Sequence, residues 1–183
     1  DFKDLSFKEL SIIRNFIFWV DIIPGGQTNN NCIFTRPFND KNASPQQLTG
    51  ENYHIKSNFH GYGGKSYQCI EVNDQIYLIW IDQISKALWL KIFNLREKVP
   101  KNDKAYLVCG TKPRQLTKVI DGNFDNSFVI YKEKFLYGLC EIKNIDYLVI
   151  LNLKKTKQKI QKIKKFDNFV GNLSSNASAT LFS

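Results

Sequence analysis

The chain has 183 residues, 43% hydrophobic and 14% aromatic, which leaves room for a domain with a real core and excludes a disordered polymer. It holds no apolar run long enough for a transmembrane helix, begins at Asp1, lacks Met and shows no basic segment before an apolar one, so no membrane span or signal peptide is expected and the chain reads as a processed product or fragment. The formal charge of +9 is concentrated: seven lysines fall between Lys154 and Lys165, and removing them leaves +2, so the bulk of the chain carries no nucleic-acid signature.

Short apolar, β-branched and aromatic runs separated by Gly, Asn, Asp and Pro predict strands almost throughout. In chain order they are Ile12 to Val20, Asn31 to Arg36, Ser66 to Val72, Ile76 to Ile81, Ala87 to Phe93, Ala105 to Val108, Ser127 to Tyr131, Leu136 to Ile142 and Tyr147 to Leu153. Tight turns are expected at Asn73-Asp74 and at Asn144-Ile145-Asp146, joining neighbours into hairpins. In the lysine tract Ile160 and Ile163 stand three apart, which is too little for a helical stripe. The fold class is therefore all-β, a meander of antiparallel hairpins.

An internal repeat sharpens this. Ser44-Pro45-Gln46-Gln47-Leu48-Thr49 recurs as Lys112-Pro113-Arg114-Gln115-Leu116-Thr117, each copy following one strand-rich unit and preceding another. Pro suits a sheet edge, Leu can fill the space between neighbouring sheets, and Thr can begin the crossover. The runs ending at Asp21, Asp82 and Asn152 each set an apolar strand before a turn-forming residue. Units of this size with three or four strands read as propeller blades; chance recurrence in a β-rich chain is the alternative.

Cys32, Cys69, Cys109 and Cys140 form no C-x-x-C pair, and neither His54 nor His60 stands at ligand spacing from them. Free, buried or half-buried thiols in a reducing compartment are expected, with disulfides as the alternative. The lysine tract reads as a solvated strand or hairpin protecting a sheet edge, with phosphate contact as the alternative. Asn42, Asn172 and Asn176 open N-x-S patterns that are read as coincidence in a chain with no expected signal peptide.

The stretch Phe59-His60-Gly61-Tyr62-Gly63-Gly64-Lys65-Ser66-Tyr67, followed by Asp74-Gln75-Ile76-Tyr77-Leu78, resembles a segment of the prolyl oligopeptidase and acylaminoacyl-peptidase group, in its bacterial dipeptidyl-peptidase-like branch. The family's acidic residue is Gly61 here and its third glycine is Lys65. Phe18-Trp19-Val20-Asp21 with Gly25-Gly26 is similar to its first blade, with Gln27 in place of an Arg, and Phe169 to Asn176 resembles a later strand and turn. The resemblance implies a serine peptidase in which a propeller caps an α/β-hydrolase domain. This chain would supply about two and a half blades, roughly residues 5–50, 51–118 and an incomplete 119–183, and stop before the catalytic Ser, Asp and His.

An α/β-hydrolase nucleophile needs a G-x-S-x-G elbow. Gly64-Lys65-Ser66-Tyr67-Gln68 lacks the closing glycine, and Ser66 lying near His54 or His60 in sequence defines no geometry. No catalytic, cofactor-binding or metal residue is expected in this chain, and no cofactor. The expected role is non-catalytic: a cytoplasmic propeller segment gating short peptides toward a C-terminal hydrolase domain. The rival reading is a propeller interaction module whose basic patch binds an acidic partner such as nucleic acid.

Overall fold

The structure, a computed structural model, describes residues 8–23, 30–40, 42–61, 65–95, 107–108, 110–120 and 122–166. They form three separate antiparallel sheets, none closed on itself, with one short 3₁₀ turn at Phe59–Gly61 and no α-helix. The first sheet has the order β1 (Lys8–Ile13), β2 (Phe16–Ile22), β3 (Asn31–Pro37), β4 (Gln46–Gln47). The second runs β5 (Tyr67–Val72), β6 (Gln75–Asp82), β7 (Ala87–Leu95), and its outer edge consists of two short pieces on β7, β8 (Leu107–Val108) and β9 (Arg114–Gln115). The third is β10 (Gly122–Tyr131), β11 (Phe135–Ile142), β12 (Ile145–Asn152), β13 (Gln161–Phe166).

Strand order in the first and third sheets follows chain order, and two-residue turns join β1 to β2, β5 to β6 and β11 to β12. Asn73 and Asp74 both take positive φ, as do Lys143 and Asn144, the geometry whose twist matches paired antiparallel strands. The second of these turns sits one residue earlier than the expected Asn144-Ile145-Asp146.

The second sheet is the middle layer, which explains its composition. Ile76, Leu78 and Trp80 of β6 face a core shared with Phe16, Phe18, Val20 and Ile33 of the first sheet. The alternate residues Tyr77, Ile79 and Ile81 face Phe124, Phe128, Leu136, Val149 and Leu151 of the third. A strand covered on both sides needs no polar face, so Ile76 to Ile81 is a continuous apolar run. Tyr53, Trp80 and Trp89 pack ring on ring in the first core, with centroids 5.0 to 6.4 Å apart.

Both copies of the repeat make the same joint. Leu48 N donates to Ile33 O at 2.7 Å and Leu116 N to Leu88 O at 2.8 Å. The hydroxyls of Thr49 and Thr117 accept from Ile33 N and Leu88 N, each at 3.0 Å. Gln47 and Gln115 donate their side-chain amides to Thr49 O and Thr117 O. Each copy thus ends its sheet with a two-residue outer strand and buries its leucine in a core between sheets.

The structure corrects several expected elements. Ile12 to Val20 is two strands, because Arg14, at φ 51°, turns the chain and pairs Ile13 with Phe16. Ser127 to Tyr131 is the second half of a ten-residue strand whose register slips between Asp125 and Val129. Asn152 ends the third strand of its sheet, whereas Asp21 and Asp82 lie at the ends of second strands, so the three runs are not equivalent. Ala105 and the Tyr62-Gly63-Gly64, Gly25-Gly26 and Phe169 to Asn176 segments lie outside the described residues.

Candidate functional site

Each residue considered for chemistry has a defined place. Ser66 is buried at 1% exposure, and both its N–H and its hydroxyl donate to the Glu9 carboxylate, at 2.6 and 2.7 Å. It hydrogen-bonds to neither histidine. Tyr67 Oη, which donates to Glu9 O at 2.7 Å, completes a joint between β1 and β5.

His54 lies in the segment between the first two sheets, where its N–H donates to Asp82 Oδ1 at 2.8 Å and its Nδ1 accepts from Asn31 N at 3.4 Å. Burial, helped by Lys56, lowers its pKa, and Asp82 works in the opposite direction. Asp82 itself organises the turn after β6 by accepting from Ser85 N and Ser85 Oγ.

His60 has φ 52° and Gly61 has φ 71°, so the chain bends at these two residues before the second sheet. His60 N donates to Glu141 Oε2 at 2.8 Å, and His60 Nε2 lies 3.1 Å from Asp146 Oδ2. Glu141 and Asp146 face each other across β11 and β12. Burial raises the pKa of Asp146, an effect that His60 partly offsets. The pair therefore ties the segment before the second sheet to the third.

Beside it opens a cleft of about 360 Å³ between the second and third sheets. Ile81, Ile120 and Phe124 form its buried apolar floor. Asn58, Gln83, Lys86, Asn123, Glu141, Lys143 and Asn144 supply the polar lining. Gln83 and Lys86 come from the turn after β6, Lys143 and Asn144 from the turn after β11, and Asn58 from the segment leading into the bend. Gly122 also lines the cleft, and its backbone passes so close to Glu141 O that an added Cβ would sit 2.1 Å from it.

At the opposite strand ends, the turns of successive sheets are linked in series. Arg14 reaches Glu71 and Asp74, the latter at 2.7 Å, and Asn73 donates to Glu133. Arg14 and Glu133 carried no motif in the sequence and Asn73 read only as a turn residue; their linking role follows from the stacking.

The lysine tract begins as a turn pinned to the second repeat copy, where Gln158 N donates to Leu116 O and Lys118 N donates to Gln158 O, both at 3.0 Å. It ends in β13, the outer strand of the third sheet, whose residues 161–165 are exposed. Lys162 Nζ stands 3.9 Å from the Tyr147 ring centroid, so part of the charge rests on an aromatic face. Among the described residues no three His, Cys, Asp or Glu side chains gather in a form that could hold a metal. Cys32, Cys69 and Cys140 are free thiols, and Cys109 lies outside the described residues. Burial raises all three pKa values, that of Cys140 to about 12. Among the described residues no helix is long and apolar enough to cross a membrane.

The class these features define is an all-β protein of stacked antiparallel sheets. Its fold is similar to that of a solved Mycobacterium tuberculosis puromycin-hydrolyzing peptidase, with a TM-score of 0.63 and 12% sequence identity over 90% of this chain. The chain spans about a quarter of that protein's length, 25%. No model of a known protein family matches the sequence, and no curated protein matches it.

Proposed function

We propose that the chain is the N-terminal β-propeller segment of a cytoplasmic serine oligopeptidase, and that it gates short peptides toward a hydrolase domain encoded further along the same protein. Residues 5–50, 51–118 and 119–183 would form three successive blades, one for each of the three sheets. The observation that carries this reading is the fold likeness over nearly the whole chain to a quarter of a peptidase.

The packing agrees with it. β1 and β10 each lie against β5, so the first strands of the three sheets come together, while β13 is an exposed outer strand. In a propeller the first strands gather near the axis and the last face the rim. The catalytic work would belong to residues outside this chain, since Ser66 is committed to Glu9 and the two histidines to other partners. Buried thiols with raised pKa values suit a reducing compartment.

The test is the coding sequence beyond Ser183, together with fluorophosphonate labelling of the full-length product. The reading expects a G-x-S-x-G elbow followed by Asp and His, with one labelled serine inside that elbow. A stop codon at that point, or a labelled full-length product without such an elbow, would overturn it.

A further inference from the structure

The cleft between the second and third sheets has the composition of a ligand site. Its volume of about 360 Å³ lies within the range of about 300–1,000 Å³ usual for small-molecule pockets, which pair an apolar floor with a few converging polar groups. Ile81, Ile120 and Phe124 provide that floor.

Among the described residues, the side chains of Asn58, Gln83, Lys86, Asn123, Lys143 and Asn144 make no hydrogen bond, so each keeps its full donor or acceptor capacity. The lining also has a charge bias. Among the described lining residues Lys86 and Lys143 carry ammonium groups and Glu141 alone a carboxylate, one oxygen of which is already taken by His60 N at 2.8 Å. Two ammonium groups favour a carboxylate. The four carboxamides can both donate and accept, which is what a peptide backbone requires.

We propose that this cleft binds the carboxylate end of a short peptide, with Lys86 and Lys143 on the carboxylate and the Asn and Gln side chains on the adjoining peptide groups. The choice of a peptide over another carboxylate rests on the peptidase reading.

The experiment is a titration of the ¹⁵N-labelled chain with trialanine, trialanine amide and glutarate, followed by amide chemical shifts. Trialanine is expected to shift Lys86, Gly122, Lys143 and Asn144 saturably, and its C-terminal amide to bind about tenfold more weakly or worse. The double variant Lys86→Gln, Lys143→Gln should lose binding to the same degree while the signals of Arg14 and Asn73, at the far strand ends, stay in place as a check on folding. Equal binding of the amide, shifts confined to other residues, or no saturable shift would overturn the proposal. Glutarate binding as tightly as trialanine would overturn its peptide half. These results are independent of the coding-sequence test: a missing elbow leaves a measured peptide site standing, and absent binding leaves the peptidase reading untouched.

Discussion

The repeated joint makes the sharpest structural prediction. Thr117 is 0% exposed, and its hydroxyl accepts from Leu88 N at 3.0 Å, also in a fully buried place. Thr117→Val keeps the shape and removes the acceptor, leaving the Leu88 N–H buried without a partner. Such a loss costs about 1–3 kcal/mol, and at about 2–4 °C per kcal/mol for a chain of this size Tm should fall by about 2–12 °C. Thr49→Val should act alike at Ile33 N. The two sites share no partner, so the double variant should equal the sum within about 0.5 kcal/mol. Thr111 provides the control, because its hydroxyl accepts from Ile92 N at 3.1 Å in an exposed place where water can replace it. Thr111→Val should change stability by no more than about 0.5 kcal/mol. Urea unfolding followed by tryptophan fluorescence reads all four. A Thr117→Val effect no larger than that of Thr111→Val would refute the assignment of the joint as a buried structural link.

The lowered pKa of His54 has a defined sign. The folded state disfavours the protonated ring, so its contribution is present above the ordinary value of 6.5 and is lost as pH falls through that value toward the folded one. His54→Gln should flatten the stability change between pH 7.5 and 5.5, and an unchanged slope would contradict it. Asp146 has the opposite sense: its raised pKa means that stability falls as pH rises from the ordinary value of 3.8, and Asp146→Asn should remove that dependence in acid unfolding curves. Cys32 and Cys140 should resist a thiol reagent at pH 8 in the folded chain and react only after unfolding; rapid native labelling would refute their burial. Gly138→Ala would place a Cβ 2.5 Å from the buried Phe128 ring and should destabilise by about 1–3 kcal/mol in the same urea assay.

Much of this architecture is legible in residue order. Ile76 to Ile81 reads as a strand and Asn73-Asp74 as the turn before it, and the structure adds that the strand is covered on both faces. The two Pro-x-Gln-Leu-Thr copies proved to be one structural joint, because Leu and Thr each perform a task that few residues can replace. The hairpin at Arg14 was hidden because Ile12, Ile13, Phe16 and Ile17 flank it with unbroken hydrophobicity, and what holds the turn is a contact with Glu71 and Asp74 nearly sixty positions away. The first half of β10 was hidden because Gly122, Asn123 and Asp125 carry little strand propensity and are paired by β11. The cleft was invisible for a related reason. Its lining spans Asn58 to Asn144, and ordinary turn residues gain a common direction only when two sheets stack.

The central claim is that these sheets are consecutive blades around one axis. The most direct measurement is an experimentally determined structure of the full-length product. It should show further four-stranded sheets continuing round an axis lined by β1, β5 and β10, with the β1 face carrying Leu10 and Ile12, exposed by 55% and 56% in this chain, covered by another blade. A full-length structure in which that face meets solvent, or in which no further sheet joins the stack, would contradict the account.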